Sequence, residues 1–444
     1  MRAVIMAGGQ GTRLASLTKG EIPKSLYPIK GRPMIEWQLL QLKKYGINDA
    51  ILVIGHLGEQ IREYLGDGAQ LGMNIEYIVE QEPLGTAGAL YYLRSDKSNV
   101  PAPQDPVIFM MGDIYFDFDI ARMLEFHNKK GAFVTLLAHP NMHPYDSDLI
   151  VTDKDDRVLG FDSKHNVRDY WYDNLVNAGI FIMNPELFDY VKEPKKLSLE
   201  KDLLSGIISE KPLYAYRTPE FVRDVGTPDR VEATEKDIEN GIIAAKNLRN
   251  RQKAIFLDRD GTINKFNGFI TDTDQLELEA NAAEAIKLIN RSGYLAIVVT
   301  NQPVIARGEC TYEKLEEIHK KLKTLLGREG AYVDDILYCP HHPDRGFDGE
   351  VPELKIVCNC RKPKTGMIDE AAARYNIDVS QSWVVGDGTL DIALGRNAGC
   401  RTILVKTGVA GEDKKYDVTP DYIDEDLLSA VRRITGSAEG KEAR

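Results

Sequence analysis

Twice along this 444-residue chain a short apolar run ends in a loop suited to phosphate. Ala3–Met6 runs into Gly8-Gly9-Gln10-Gly11-Thr12-Arg13, and Lys253–Leu257 runs into Asp258-Arg259-Asp260-Gly261-Thr262. A strand that stops at glycine or aspartate, with helices alternating after it, is the unit of a parallel α/β sheet. Ligands of such sheets gather at the carboxyl ends of strands. Two restarts on one chain predict an α/β protein of two doubly wound, mostly parallel-sheet domains, each with its own site.

The intervening pattern supports this. Ala50–Ile54, Asn74–Val79 and Pro106–Met111 read as strands, and Met34–Tyr45, Leu57–Leu65 and Thr86–Leu93 as helices. After Lys253–Leu257, strands are expected at Leu295–Thr300, Trp383–Val385 and Thr402–Val405, and helices at Ala282–Ser292 and Thr311–Leu326. Pro228–Arg251, rich in Glu, Lys, Asn and Ala, reads as helical joining material. The expected division is a first domain over 1–235, a helical linker over 236–250, a second domain over 251–436, and a disordered polar tail over 437–444.

The net charge of −12 argues against non-specific nucleic-acid or anionic-membrane binding, which needs a basic field. No stretch reaches the roughly 18–20 apolar residues of a spanning helix, and the apolar run after Met1 is too short for a signal peptide. Five cysteines, three of them crowded at Cys339, Cys358 and Cys360, do not suggest a disulfide framework. The expectation is a cytoplasmic enzyme of small phosphorylated substrates, with no nucleic-acid or membrane partner and with a homo-oligomer left open.

In the first loop, Gly8, Gly9 and Gly11 let the backbone approach a phosphate chain, exposed amides there and at Thr12 form an anion cradle, and Arg13 adds a planar cation. Lys24, beside Pro23, can neutralise charge on the reacting phosphate. The run MAGGQGTRL…PK…GRPMIEW resembles the sugar-phosphate nucleotidylyltransferases, and the likeness extends over about 230 residues with a Rossmann-like fold implied. That resemblance implies base binding by Gln81, Gly85 and Thr86 in QEPLGTAGAL, and Mg²⁺ binding by Asp113 of MGD and Asp224 of VRDVGTP. It implies sugar contacts by Asn177 and Gly179 in NAGIFIMNP, a phosphate role for Lys164, and a place near the sugar for LEKDLL. Asp162-Ser163-Lys164 stands where the family often has Glu-Lys-Pro. The implied reaction is in-line attack of a sugar-1-phosphate on the α-phosphorus of an NTP, with Lys24 and Arg13 as the catalytic cations.

In the second loop, Asp258 and Asp260 stand two residues apart, so both can reach one phosphate. VVTNQ ends at Thr300 and Asn301, CRKPKTGM brings Arg361 and Lys362, and VVGDGTLD brings Asp387 and Asp391. These four motifs resemble the haloacid-dehalogenase-like phosphatases. The resemblance implies Asp258 as nucleophile and Asp260 as general acid and base. It implies Thr300, Asn301 and Lys362 around the phosphoryl group, Asp258, Asp260 and Asp387 around Mg²⁺, and Asp391 behind them. Cys339-x-His341 with Cys358-x-Cys360 supplies three thiolates and one imidazole, which satisfy a closed, structural zinc site; His341 is preferred to His342.

FLDRDGTIN, CPHHPD and CNCRKP together resemble the heptose-bisphosphate phosphatases and their histidinol-phosphatase relatives. The long stretch between His341 and Cys358 favours the heptose type, with Arg361 on the second phosphate. Removing the 7-phosphate of heptose 1,7-bisphosphate leaves a sugar-1-phosphate, which a nucleotidylyltransferase requires. The expected function is bifunctional synthesis of an NDP-heptose with GTP as donor. The alternative is a mannose-1-phosphate guanylyltransferase joined to a phosphatase of histidinol phosphate or another sugar phosphate.

Overall fold

The computed structural model describes residues 1–9, 11–94 and 97–436. Gln10 and the expected tail over 437–444 lie outside the described residues. The chain divides into two compact units, one of residues 1–139, 148–163 and 175–247, the other of 140–147, 164–174 and 248–444.

The first unit is built on a nine-stranded sheet. Its parallel half runs Val107–Met111, Ala3–Met6, Asp49–Ile54, Asn74–Val79. The central strands Ala3–Met6 and Val107–Met111 are apolar and buried on both faces. Ala3 and Ile5 join one hydrophobic cluster and Val4 and Met6 the other, so layers pack on both sides. The other half is mixed. Val176–Met183 runs antiparallel to Val107–Met111, Val134–His139 and Leu149–Thr152, and Leu149–Thr152 pairs antiparallel with Val158–Asp162. Leu213–Arg217 lies parallel to Val134–His139.

A separate two-stranded ribbon decides the first site. Phe221–Asp224 runs antiparallel to Ile114–Asp117 with Asp224 opposite Ile114, and Val225 N–H donates to Asp113 C=O at 2.9 Å. Residues more than a hundred positions apart in sequence thereby stand side by side.

The second unit carries a six-stranded parallel sheet in the order Asp335–Cys339, Tyr294–Asn301, Lys253–Leu257, Trp383–Gly386, Arg401–Val405, Tyr422–Asp424. Leu257 aligns with both Val298 and Val385, and Asn301 with Cys339. Asp258, Thr300, Asp387 and Cys339 consequently reach the same edge of the sheet.

One expected helix is different. Thr86–Leu93 is a tight turn of 3-10 helix over Gly88–Leu93 only. A Cβ on Gly88 would lie 2.1 Å from Lys195 O, and Ala87 N–H donates to Leu197 O at 3.0 Å. The segment is thus tied to a neighbouring strand of chain, which competes with the α-helical hydrogen-bond pattern.

Candidate active sites

In the first unit the glycine loop lies over the Lys24 side chain. Gly11 has φ +63°, and a Cβ there would meet Lys24 Cβ at 3.0 Å; one on Gly9 would meet Lys24 Cε at 3.4 Å. Gly8 is as constrained, since a Cβ would lie 2.8 Å from Glu80 Oε2. Thr12 and Arg13 begin the short helical turn Thr12–Leu14 that follows. Lys24 Nζ is paired with Asp113 Oδ2. Asp224 accepts from Gly226 N–H at 2.6 Å and from Arg230 Nη1 at 2.7 Å, with Arg13 Nη2 at 3.5 Å. Both carboxylates expected to hold a metal are therefore charge-matched by cations of the chain itself.

The expected sugar and base segments run on from there. A Cβ on Gly179 would lie 3.0 Å from Ile114 Cδ1 and 3.3 Å from Met111 Cγ, which places Gly179 beside the Asp113 corner. Asn177 Nδ2 donates to Glu200 Oε1 at 2.9 Å, and Asn177 Oδ1 accepts from Gly179 N–H at 3.1 Å. Burial pushes the Glu200 carboxyl up from its ordinary value, and the nearby Asp148 adds to this against the Asn177 hydrogen bond. Glu200 is the side chain of LEKDLL that meets Asn177, a pairing with no local signal in the sequence. Thr86 Oγ1 accepts from Leu199 N–H at 2.7 Å, Gly85 has φ +74° with Leu197 O where a Cβ would go, and Gln81 is exposed. Lys164 pairs with Asp146 Oδ1 at 3.6 Å, and both belong to the segments grouped with the second unit.

In the second unit, Asp258, Asp387 and Asp391 bring carboxylate oxygens within 4.8 Å of one another. The Lys362 ammonium, 1% exposed, stands 2.8 Å from Asp258 Oδ1 and 2.7 Å from Asp391 Oδ1. Burial raises the Asp258 carboxyl, with Asp391 adding to the rise against Lys362; burial also raises Asp387, with Asp258 and Asp391 adding to it. Burial alone would lower Lys362, but Asp258 and Asp391 hold it above the ordinary lysine range. Three carboxylates against one ammonium leave a net negative, oxygen-lined pocket, the donor chemistry of a hard divalent cation such as Mg²⁺. Glycine is required beside it: Gly261 has φ +86°, and a Cβ would lie 2.3 Å from Asp387 Oδ2.

Asp260, expected among the metal ligands, stands outside that cluster of three. Its Oδ1 accepts from Arg259 Nε at 3.0 Å and Asn264 Nδ2 at 2.9 Å; its Oδ2 accepts from Arg259 Nη2 at 2.8 Å and Gln302 Nε2 at 2.9 Å. Asn301 holds the backbone of Lys362, accepting from its N–H at 3.0 Å, while Thr300 Oγ1 accepts from Gln302 Nε2 at 2.9 Å. Arg361 Nη1 donates to His341 O at 3.0 Å.

Cys339, His341, Cys358 and Cys360 converge as the spacing suggested. Sulfur separations are 3.2, 3.3 and 3.5 Å, and His341 Nδ1 is 3.3 Å from Cys360 Sγ and 3.7 Å from Cys339 Sγ. Four ligands about 2.3 Å from a central zinc span edges of about 3.8 Å, so the set needs only slight expansion to enclose one. The cysteines are free of disulfides. This fits a metal-binding cluster. No helix among the described residues is long and apolar enough to cross a membrane.

The family model for nucleotidyl transferases matches residues 2–241, and the HAD-hydrolase-like model matches 359–430. The chain is 32% identical over 242 residues to D-glycero-alpha-D-manno-heptose 1-phosphate guanylyltransferase of Aneurinibacillus thermoaerophilus, covering 54% of this chain and 100% of that one. It is 38% identical over 172 residues to D-glycero-beta-D-manno-heptose-1,7-bisphosphate 7-phosphatase of Haemophilus ducreyi, covering 38% and 92%. It is 41% identical over 160 residues to D-glycero-alpha-D-manno-heptose-1,7-bisphosphate 7-phosphatase of Photorhabdus laumondii, covering 36% and 85%. The nucleotidyl transferase match and the phosphatase relatives together make this a bifunctional enzyme that belongs to the nucleotidyl transferase family through its first half and to the haloacid-dehalogenase-like phosphatases through its second.

Proposed function

We propose that the chain converts D-glycero-α-D-manno-heptose 1,7-bisphosphate to GDP-D-glycero-α-D-manno-heptose in two steps, in the cytoplasm. The observation that carries this is the pairing on one chain of the Asp258–Lys362–Asp387 pocket with the Lys24–Asp113–Asp224 corner. The first removes a phosphate and the second consumes a sugar-1-phosphate, so only one order links them. The α-anomer follows the guanylyltransferase relative; the phosphatase relatives carry both anomers in their names. The working division is a nucleotidyltransferase over 1–235, a linker over 236–250 and a phosphatase over 251–436.

In the phosphatase, Asp258 Oδ attacks the 7-phosphorus, the P–O7 bond breaks, and protonated Asp260 gives its proton to O7. Water then attacks the aspartyl-phosphate, Asp260 takes the water's proton, and orthophosphate leaves Asp258 free. Lys362 and Thr300 hold the phosphoryl oxygens, and Arg361 binds the 1-phosphate. Mg²⁺ held by Asp258, Asp387 and Asp391 would neutralise phosphoryl charge.

In the nucleotidyltransferase, an oxygen of heptose 1-phosphate attacks the α-phosphorus of GTP and the bond to pyrophosphate breaks. Lys24, Arg13 and the amides of Gly8, Gly9, Gly11 and Thr12 neutralise the developing charge. Asp113 and Asp224 fit a second Mg²⁺. Gly85, Thr86 and Gln81 bind the guanine, and Asn177, Gly179 and Glu200 bind sugar hydroxyls.

The test is heptose 1,7-bisphosphate with Mg²⁺ and each NTP in turn, following orthophosphate and pyrophosphate. Orthophosphate should appear without nucleotide, and pyrophosphate only with GTP and only after orthophosphate. Pyrophosphate from mannose 1-phosphate at a higher kcat/KM, with no orthophosphate from the bisphosphate, would replace this reading.

Zinc completes the Cys339, His341, Cys358 and Cys360 set in this reading. Removing it should lower the melting temperature of the second unit while the first keeps its own transition, because a structural metal adds its binding energy to folding. Unchanged melting after measured loss of zinc would rule this out.

A further inference from the structure

The helix Tyr312–Arg328 buries Leu315, Ile318, Leu322 and Leu326 along one face, and in the same stripe it buries a histidine, His319, 3% exposed. Its ring lies 5.3 Å from that of Tyr338, and its Nε2 stands 3.3 Å from Nη1 of Arg259. Arg259 is fully buried, with its fork spent on Asp260 through Nε and Nη2. A buried guanidinium is costly unless its N–H groups are accepted, and the His319 nitrogen accepts one on the side facing away from the carboxylate. Burial first, then Arg259 and Lys323, push His319 well below its ordinary value, against Asp173. The ring is therefore neutral and free to accept.

We infer that His319 is a positioning residue for the phosphatase: by accepting from Arg259 Nη1 it fixes the guanidinium fork, and the fork fixes the orientation of Asp260 toward the leaving oxygen. A planar fork held at three nitrogens cannot turn, whereas one held only at Nε and Nη2 can rock with the carboxylate it grips. Asn264 and Gln302 complete the grip on Asp260 from the other side. This rests on the reading of Asp260 as the acid that protonates the leaving group.

Acid catalysis matters in proportion to how poor the leaving group is. Misplacing Asp260 should slow release of an alkoxide strongly and of a nitrophenolate weakly, which general loosening of the fold would not do. The experiment compares single-turnover leaving-group release from heptose 1,7-bisphosphate and from p-nitrophenyl phosphate in the wild type, Asp260→Asn, His319→Leu and His319→Gln. Release from the sugar phosphate should fall about tenfold or more in His319→Leu, with about twofold or less for the aryl ester and KM unchanged. His319→Gln, which keeps an acceptor oxygen, should recover most of the loss. If His319→Leu does not fold, His319→Asn, too short to reach Arg259, replaces it. Equal loss on both substrates, or no rescue by Gln, overturns the inference. If Asp260→Asn itself fails to discriminate between the two substrates, the reading of Asp260 falls instead.

Discussion

Asp258→Asn is expected to lower orthophosphate release by about 10³-fold or more while leaving nucleotidyl transfer from supplied heptose 1-phosphate within about twofold. An amide oxygen in place of the carboxylate cannot form the acyl phosphate. The same substitution should not destabilise the metal-free protein. Burial raises Asp258, with Asp391 adding to the rise, and burial raises Asp387, with Asp258 and Asp391 adding to it, so their ionised forms are disfavoured in the fold. A carboxyl whose folded value is raised contributes stability below its unfolded value and loses it as pH rises through the folded one. Wild-type stability without Mg²⁺ should thus fall as pH rises from the ordinary carboxylate range toward neutrality, and Mg²⁺ should restore it. Asp258→Asn removes one of the three clustered charges and should flatten that slope. Melting curves over pH, with and without Mg²⁺, check both statements. Equal loss of both activities would show that the sites do not act independently.

The parts of these sites that were legible in sequence are those fixed by short-range geometry. Asp258, Asp387 and Thr300 follow apolar runs directly, so strand ends located them, and paired Cys-x-His and Cys-x-Cys spacings located the sulfur cluster. What depends on distant register was hidden. The antiparallel half of the first sheet, which puts Asn177 against Glu200, has no local signal beyond strand propensity. Arg230 reaches Asp224 only because a proline-started helix follows the strand. Asp391 belongs with Asp258 and Asp387 because one helical turn folds it back toward Gly388 N–H at 3.2 Å. The family resemblance implied a shared metal for Asp258 and Asp260, but the strand ends at Leu257, and in the turn that follows the second side chain lies in the grip of Arg259, Asn264 and Gln302.

Lys24→Ala should slow pyrophosphate release by about 10²–10³-fold, the usual cost of removing one preorganised charge from a developing oxyanion. It should also tighten Mg²⁺ binding at the same site, by about tenfold. The two effects share a cause. In the free protein the Lys24 ammonium neutralises Asp113, whose side chain is 13% exposed. A cation arriving at Asp113 must displace that ammonium, which then becomes available for the phosphate chain under the Gly9–Gly11 loop. Without Lys24 the carboxylate meets the metal with no competitor, but the reacting phosphate loses its cation. Asp224 keeps Arg230 at 2.7 Å in either case, so the gain in affinity is confined to one carboxylate. Asp113→Ala should abolish transfer by the opposite route, leaving the ammonium in place and the metal without its ligand, and phosphate release should be untouched. Calorimetric Mg²⁺ titration alongside single-turnover pyrophosphate release separates these outcomes. Weaker metal binding in Lys24→Ala would mean that the lysine supports the fold of the corner and does not compete for it.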